Sequence, residues 1–519
     1  MGSTFRASMN WLHTWAGVVL GGLLFAIFWT GTLSVFDREI DRWMMPATRR
    51  APVATVSLDA VVHQARESVA EARRWYSLLL PIEREPVVRL GYPSVGGAFV
   101  TRQIDPATAA PMPDPGTWAG TRFLFPFHFM LHISFERVGL WIVGLAGMAM
   151  MALCVSGVVI HRKIFADFFT FRADRKPRRL TLDLHNVTGV LGLPFHFVIT
   201  LSGLIIFFTL YFPNVGDPAY QGDRQAFNRE TFGTYTRPRA NAPAPASASL
   251  DVMVAATSRM WHGAPPYFVR VWHPGDAASY VEIRRAFDDT VTMSVDTAYF
   301  DAATGALLYR SSAAPILTAQ RFIAGLHFIQ FRHWTLRWVY FVLGLAGCVL
   351  IATGYLFWLE SRRRSHERLG LKGVRVVDGL TIGSVTGILI ATLAFFVVNR
   401  LLPPGATFAG YDRAALEIWA FYLVWLATFA HAWLRPARAW AWQCIAIAVL
   451  AVTAVLLNWL TTGDHLVRSL ARAHLWPIAG MDLLLLASAA IAALTVRRLL
   501  RLREPRTITK SSPVLPQTR

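Results

Sequence analysis

The sequence predicts an all-α polytopic membrane protein of about eight transmembrane helices, with a duplicated four-helix core and two small α+β modules on one side of the bilayer. Three observations predict it. The 519 residues are 54% hydrophobic, too apolar for an ordinary water-soluble domain. Apolar runs long enough to cross about 30 Å of hydrocarbon at about 1.5 Å per residue recur near residues 14–36, 138–160, 187–212, 337–359, 379–399, 416–434, 440–460 and 478–496. Finally, two stretches within the first 365 residues repeat one another.

The first helix, residues 1–36, continues without a small-residue cleavage site into Phe36, Asp37 and Arg38, the pattern of a retained signal anchor. Residues 37–130 read as the first module: helix-like "LDAVVHQARESVAEA", strand-like "PVVRLGYP" and "AFVTRQID", and the turn "DPATAAP". Helix two (131–163), a basic loop (164–182) and helix three (183–212) follow. The second module, 213–325, repeats the order with "LDVMVAATSRMW", "YFVRVWHP", "SYVEIRR" and "TAYFDAATGALLYR". Its Pro/Ala/Ser lead-in, "RPRANAPAPASAS", reads as flexible. Helix four (326–361), a second basic loop (362–377), four further helices (378–500) and a tail (501–519) complete the chain.

A formal net charge of +19 can signal nucleic acid, but here the basic residues cluster beside helix ends instead of forming one basic domain. Arg162, Lys163, Arg172, Arg175, Lys176, Arg178 and Arg179 lie between helices two and three, and Arg362, Arg363, Arg364, Arg368, Lys372 and Arg375 between four and five. The positive-inside rule places both loops, and with eight spans both termini, in the cytoplasm. The expected partner is therefore the lipid bilayer, with no nucleic acid. Cys154, Cys348 and Cys444 each fall in a different span, which excludes CxxC and CxxCH chemistry.

The duplication is explicit. "LHTWAGVVLGGLLFAIFWTG" and "LHNVTGVLGLPFHFVITLSG" align without a gap, matching His13 to His185, Gly17 to Gly189, and Thr30-Gly31 to Ser202-Gly203. "LHISFERVGLWIVGLAG" resembles "LHFIQFRHWTLRWVYFVLGLAG", which matches His132 to His327. The chain to about residue 365 thus reads as a pseudo-symmetric four-helix core.

Imidazoles within lipid-spanning sequence are costly unless they are paired, and they mark function by default. Neutral imidazole is an axial ligand of haem iron, and four-helix bundles hold such cofactors between facing helices. His13, His161 and His185 fall near the cytoplasmic ends of helices one to three, where any two can hold one haem. His132 and His327 precede helices two and four and can hold a second. His196 lies eleven residues after His185, on the same face and about 16 Å along the axis. Zinc is disfavoured by the absence of HExxH or a compact ligand set. His128 and His132, at i and i+4, lack an acidic third ligand, so no separate metal site is expected. His431, His465 and His474 read as ordinary polar residues of the added helices.

On these motifs, together with "VVIHRKIFADFFTFR", the first 365 residues or so resemble the PepSY-associated transmembrane family, which includes bacterial inner-membrane ferric-siderophore reductases. The resemblance implies PepSY-like periplasmic modules and two b-type haems. Their ligands would come from His13, His132, His161, His185, His196 and His327. It also implies haem-dependent reduction of a ferric-siderophore or other periplasmic iron chelate, releasing Fe(II) for uptake. No dinucleotide, P-loop or flavin motif is visible, so the electron donor is external, cytoplasmic or in the membrane. Aromatic residues offer docking surface: Trp118, Phe123, Phe125, Phe127 and Phe129 near the first module, and Tyr267, Trp272, Phe328, Phe331 and Trp334 near the second. A non-enzymatic protein that binds peptide or regulates a protease would carry no chromophore. A transporter would use the histidines as a proton relay.

Overall fold

The computed structural model describes residues 4–161, 177–212, 217–244, 246–294, 296–311 and 314–501. Among these, eight helices are long and apolar enough to cross a membrane: α1 (Phe5–Ser34), α2 (Val138–Ile160), α3 (Pro177–Ile206), α4 (Trp334–Arg368), α5 (Gly373–Leu401), α6 (Arg413–Leu434), α7 (Ala439–Thr462) and α8 (Trp476–Arg501). Their ends carry local stop and start signals. The Thr4 hydroxyl accepts from the Ala7 N–H at the start of α1, Asp412 caps α6, and Gly463 at φ 73° ends α7. The basic residues Arg162, Lys163, Arg172, Arg175 and Lys176, and nearly all of the expected tail, lie outside the described residues.

The first four spans form a ring in which α1 packs on α2, α2 on α3, α3 on α4, and α4 back on α1. This leaves α1 and α3, the two best-matched repeats, diagonally opposed. α5 is the most buried of the eight and packs on α1, α4, α6 and α7, while α8 rests on α7. The Trp29 indole N–H donates to Thr392 Oγ1 at 3.0 Å, tying α1 to α5. Burial on all sides explains why α5 reads as continuously apolar, "TIGSVTGILIATLAFFVV".

The two polar segments do not form separate sheets. Strands β1 (Trp75–Leu79), β2 (Val88–Pro93), β3 (Phe99–Ile104), β4 (Pro266–Trp272), β5 (Tyr280–Arg285), β6 (Thr297–Asp301) and β7 (Leu307–Ser311) make one antiparallel sheet in the order β3-β2-β1-β4-β5-β6-β7. The join is β1 against β4, with Trp75 opposite Trp272 and Leu79 opposite Phe268. Each half alone would leave this edge unpaired, and pairing the two satisfies both rows of backbone groups. The helices Leu58–Gln64, Arg66–Glu71 and Leu250–Met260 share one hydrophobic core with the sheet, including Leu58, Val61, Leu78, Leu90, Met253, Val269 and Ile283.

The helix starts are capped reciprocally. The "SLD" at Ser57–Asp59 recurs at Ser249–Asp251. Asp251 accepts from the Ser57 hydroxyl and the Leu58 N–H at 2.6 Å, while Asp59 accepts from the Ser249 hydroxyl and from the Leu250 N–H at 2.8 Å. Each half thus satisfies the orphan donors of the other half's helix. The expected flexible lead-in is tethered: Arg237 pairs with Asp301 at 2.8 Å, and Asp276 accepts from the Ala240 and Asn241 N–H groups at 2.9 Å.

A buried ion cluster joins the sheet to the helices. Glu39, in the short helix Asp37–Met44, accepts from Arg84 Nη2 at 2.8 Å and from Arg337 Nη2 at 2.9 Å. Arg337, fully buried at the start of α4, also donates to the Val35 carbonyl and stacks on Phe36 and Trp334. The two guanidinium groups outweigh the cost of burial and hold the Glu39 carboxyl down to about 2.

Candidate functional site

α1 and α3 each present a histidine toward the centre of the ring. His13 Nδ1 lies 3.1 Å from the Leu153 carbonyl of α2 and 3.0 Å from Ser156 Oγ. His185 Nδ1 lies 2.9 Å from the Leu350 carbonyl of α4. The two rings stand 6.3 Å apart, edge to face. His13 of α1 thus bonds to α2 as His185 of α3 bonds to α4, the pattern expected of the repeat.

The second pair sits at the sheet end of the bundle. It does not use the expected partner of His327. Helix two does not start at residue 131. Ahead of α2, a short helix, Phe125–Met130, ends at Leu131 with φ 51°, and His132, Glu136 and Arg137 follow with φ of 55°, 46° and 58°. This left-handed break turns His128 inward and sends His132 away, against Trp118 and Phe123. His327 is carried on the helix Pro315–Phe328, which ends in the same way at Ile329, φ 53°. The His128 and His327 rings stack with centroids 5.9 Å apart. His128 Nδ1 lies 2.8 Å from the Ile27 carbonyl, and His327 Nδ1 lies 2.7 Å from the Ile199 carbonyl. Ile27 and Ile199 match in the register that matches His13 to His185.

All four imidazoles therefore present Nδ1 to a backbone carbonyl, a bond in which Nδ1–H donates. That tautomer leaves Nε2 as the lone-pair atom, the one a metal takes. Glycines face the rings. A Cβ at Gly31 would stand 2.6 Å from His128 Cε1, and one at Gly203 would stand 2.7 Å from His327 Cε1. Gly157 and Gly354 bear the same relation to His13 and His185, at 3.3 and 3.1 Å. The donor set and these cradles, which any side chain would fill, fit a flat iron porphyrin held between paired imidazoles.

His196, 1% exposed, stands between the pairs against Phe28 and Gly347, and its Nε2 has no hydrogen-bond partner among the described residues. It has no counterpart in α1, where the register places Leu24. His161 follows the last residue of α2 with its Nε2 buried and likewise unpartnered among the described residues; it does not join the His13–His185 pair. The dipeptide "HF" at 128–129 and 327–328 matches His128 to His327, where "LH" matches His132, but it also occurs at 196–197 and does not by itself select the pair.

The added helices brace the second pair. Phe123 packs on Phe395 of α5 at 5.0 Å, Phe127 on Phe421 of α6 at 5.5 Å, and Tyr422 donates to the Leu131 carbonyl at 3.1 Å. Phe123 and Phe127 are consequently buried, Phe331 is buried in its own cluster with Val35, Phe36 and Phe341, and none of the three offers docking surface. His465 accepts from the Arg468 N–H at 3.2 Å as a helix cap, in keeping with an ordinary polar role.

Comparison with known proteins covers the first four spans. The family model described as PepSY-associated TM region matches residues 10–361. An uncharacterized protein of Pseudomonas aeruginosa is 30% identical over 315 residues, covering 57% of this chain and 77% of the relative. The matched span ends within α4, so α5–α8 lie beyond it. The chain belongs to the PepSY-associated transmembrane family.

Proposed function

We propose that this protein is a b-type di-haem oxidoreductase of the bacterial inner membrane. In this reading it passes electrons from the cytoplasmic side to a ferric-siderophore or similar chelate in the periplasm and releases Fe(II) for uptake. The supporting observation is the double pair, His13 with His185 and His128 with His327, each ring oriented by a carbonyl through Nδ1 and with no hydrogen bond to Nε2 among the described residues. Haem bound there supplies one-electron carriers at two depths.

The residues of the chain do the rest. The carbonyl bonds fix the imidazole tautomer and raise its basicity, and the apolar walls of the bundle keep water from the pairs. The basic helix ends orient the His13–His185 pair toward the cytoplasm and the sheet toward the periplasm. An external donor gives one electron per turnover, and substrate Fe(III) becomes Fe(II). The ferrous ion is held less tightly by hard oxygen donors and leaves the chelator, so no acid–base residue is required. The test is a visible spectrum of the detergent-purified protein before and after dithionite. A reducible b-type spectrum at two haems per chain is expected, and colourless protein from haem-replete cells would refute the proposal.

A further inference from the structure

The reductase reading leaves open where an iron chelate would dock. A cavity of about 510 Å³ opens where the β4–β7 half of the sheet meets the loop that follows His327. Such a volume suits a drug-sized ligand. Arg285, Arg310 and Arg332 line it, together with Asp289, Asp296 and Trp261. Asp296 is neutralised by Arg285 at 3.2 Å. Arg310 and Arg332 are exposed and form no ion pair among the described residues; against the remaining carboxylate, Asp289, they leave an excess of one positive charge. Trp261, 5% exposed, lines the cavity as part of the hydrophobic core of the sheet.

The cavity wall is mechanically joined to the second histidine pair. The Arg332 N–H donates to the Asp288 carbonyl at 2.8 Å, and Val291 of the same loop packs on the cluster of Ile329 and Phe331, directly after the helix that carries His327. The geometry points to this cavity as the docking site for an anionic, oxygen-ligated ferric chelate. The Arg310 and Arg332 guanidinium groups pair with its outward oxygens. Planar guanidinium forks suit carboxylate and catecholate oxygens in a way a diffuse positive field does not. A chelate there lies beside the loop next to His327, on the side from which an electron would arrive. This assignment rests on the reductase reading for its purpose but not for its chemistry.

Isothermal titration calorimetry on the full chain in detergent tests it, with an anionic iron(III) tris-catecholate and an uncharged iron(III) trihydroxamate as probes. The wild type should bind the anionic chelate at least about tenfold more tightly than Arg310→Glu/Arg332→Glu. That difference should shrink as salt is raised. The uncharged probe should not respond to charge reversal. Absence of binding by the wild type, or unchanged affinity in the double variant of a folded, haem-replete protein, would overturn the docking site and leave the reductase reading intact. Arginine-dependent binding by protein that carries no haem would do the reverse.

Discussion

Replacing His128 by alanine removes one imidazole of the sheet-side pair and strands His327, whose ring lies 5.9 Å away. The two pairs are set by the fourteen residues from His13 to Ile27 on α1, and by the same step from His185 to Ile199 on α3. At about 1.5 Å per residue they lie about 21 Å apart. Sites that far apart with no shared partner respond independently. The expected outcome is therefore a halving: haem falls from two per chain to one in His128→Ala and in His13→Ala, and to none in the double variant. His132→Ala, whose ring contacts Trp118 and Phe123 instead, keeps both. Gly31→Ala supplies a finer perturbation. Its Cβ would stand 2.6 Å from His128 Cε1 where ordinary contact begins at 3.4 Å, so the ring must retreat by roughly 0.8 Å against its 2.8 Å bond to Ile27. Gly17→Ala meets nothing nearer than 4.0 Å and serves as the control. Pyridine haemochrome assay against protein from amino-acid analysis reads all five single variants and the double. Two haems in His128→Ala, or one in His132→Ala, would refute the pairing.

Further outcomes follow from the same geometry. Glu39→Gln breaks a buried ion cluster and should cost about 3–5 kcal/mol, seen as a lower melting temperature in detergent. Because Glu39 is held at about 2, below its usual 4.5, its contribution is full above the unfolded value and fades as pH falls toward 2. The variant's melting temperature should therefore lose part of the wild type's acid sensitivity, and parallel pH profiles would count against the cluster. Asp59→Ala and Asp251→Ala should each cost about 1 kcal/mol as lost helix caps; a flat melting temperature in both would show the reciprocal capping to be idle. In a cysteine-free background, Ser94→Cys and Thr304→Cys should react with an impermeant maleimide in spheroplasts and Ser365→Cys only after lysis, with the opposite labelling reversing the orientation. His185→Ala should lower haem content and His431→Ala should not; equal content in the two would remove His185 from the site.

Much of this architecture was legible because it is written in local periodicity. Eight apolar runs became eight helices, and "PVVRLGYP", "SYVEIRR" and "TAYFDAATGALLYR" became strands. The ungapped match of α1 to α3 carried through to bonds no alignment displays, from Ile27 and Ile199 to their histidines. The strand "WYSLL" is not legible in the sequence because it lacks a clean alternation, being an interior strand buried on both faces.

What the sequence by itself determined is the membrane crossing, the duplication and the supply of imidazoles, since each depends on residues near one another in the chain. Tertiary structure alone decided which imidazoles face each other, that two modules share one sheet, and that α6 braces the His128 helix while α5 takes Phe123 just ahead of it. The reason is physical. Partner choice at His128 hangs on left-handed backbone at Leu131 and His132, held by packing on Phe395, Phe421 and Tyr422 from helices hundreds of residues away, and β1 finds β4 only because each carries an edge that water or the other must satisfy.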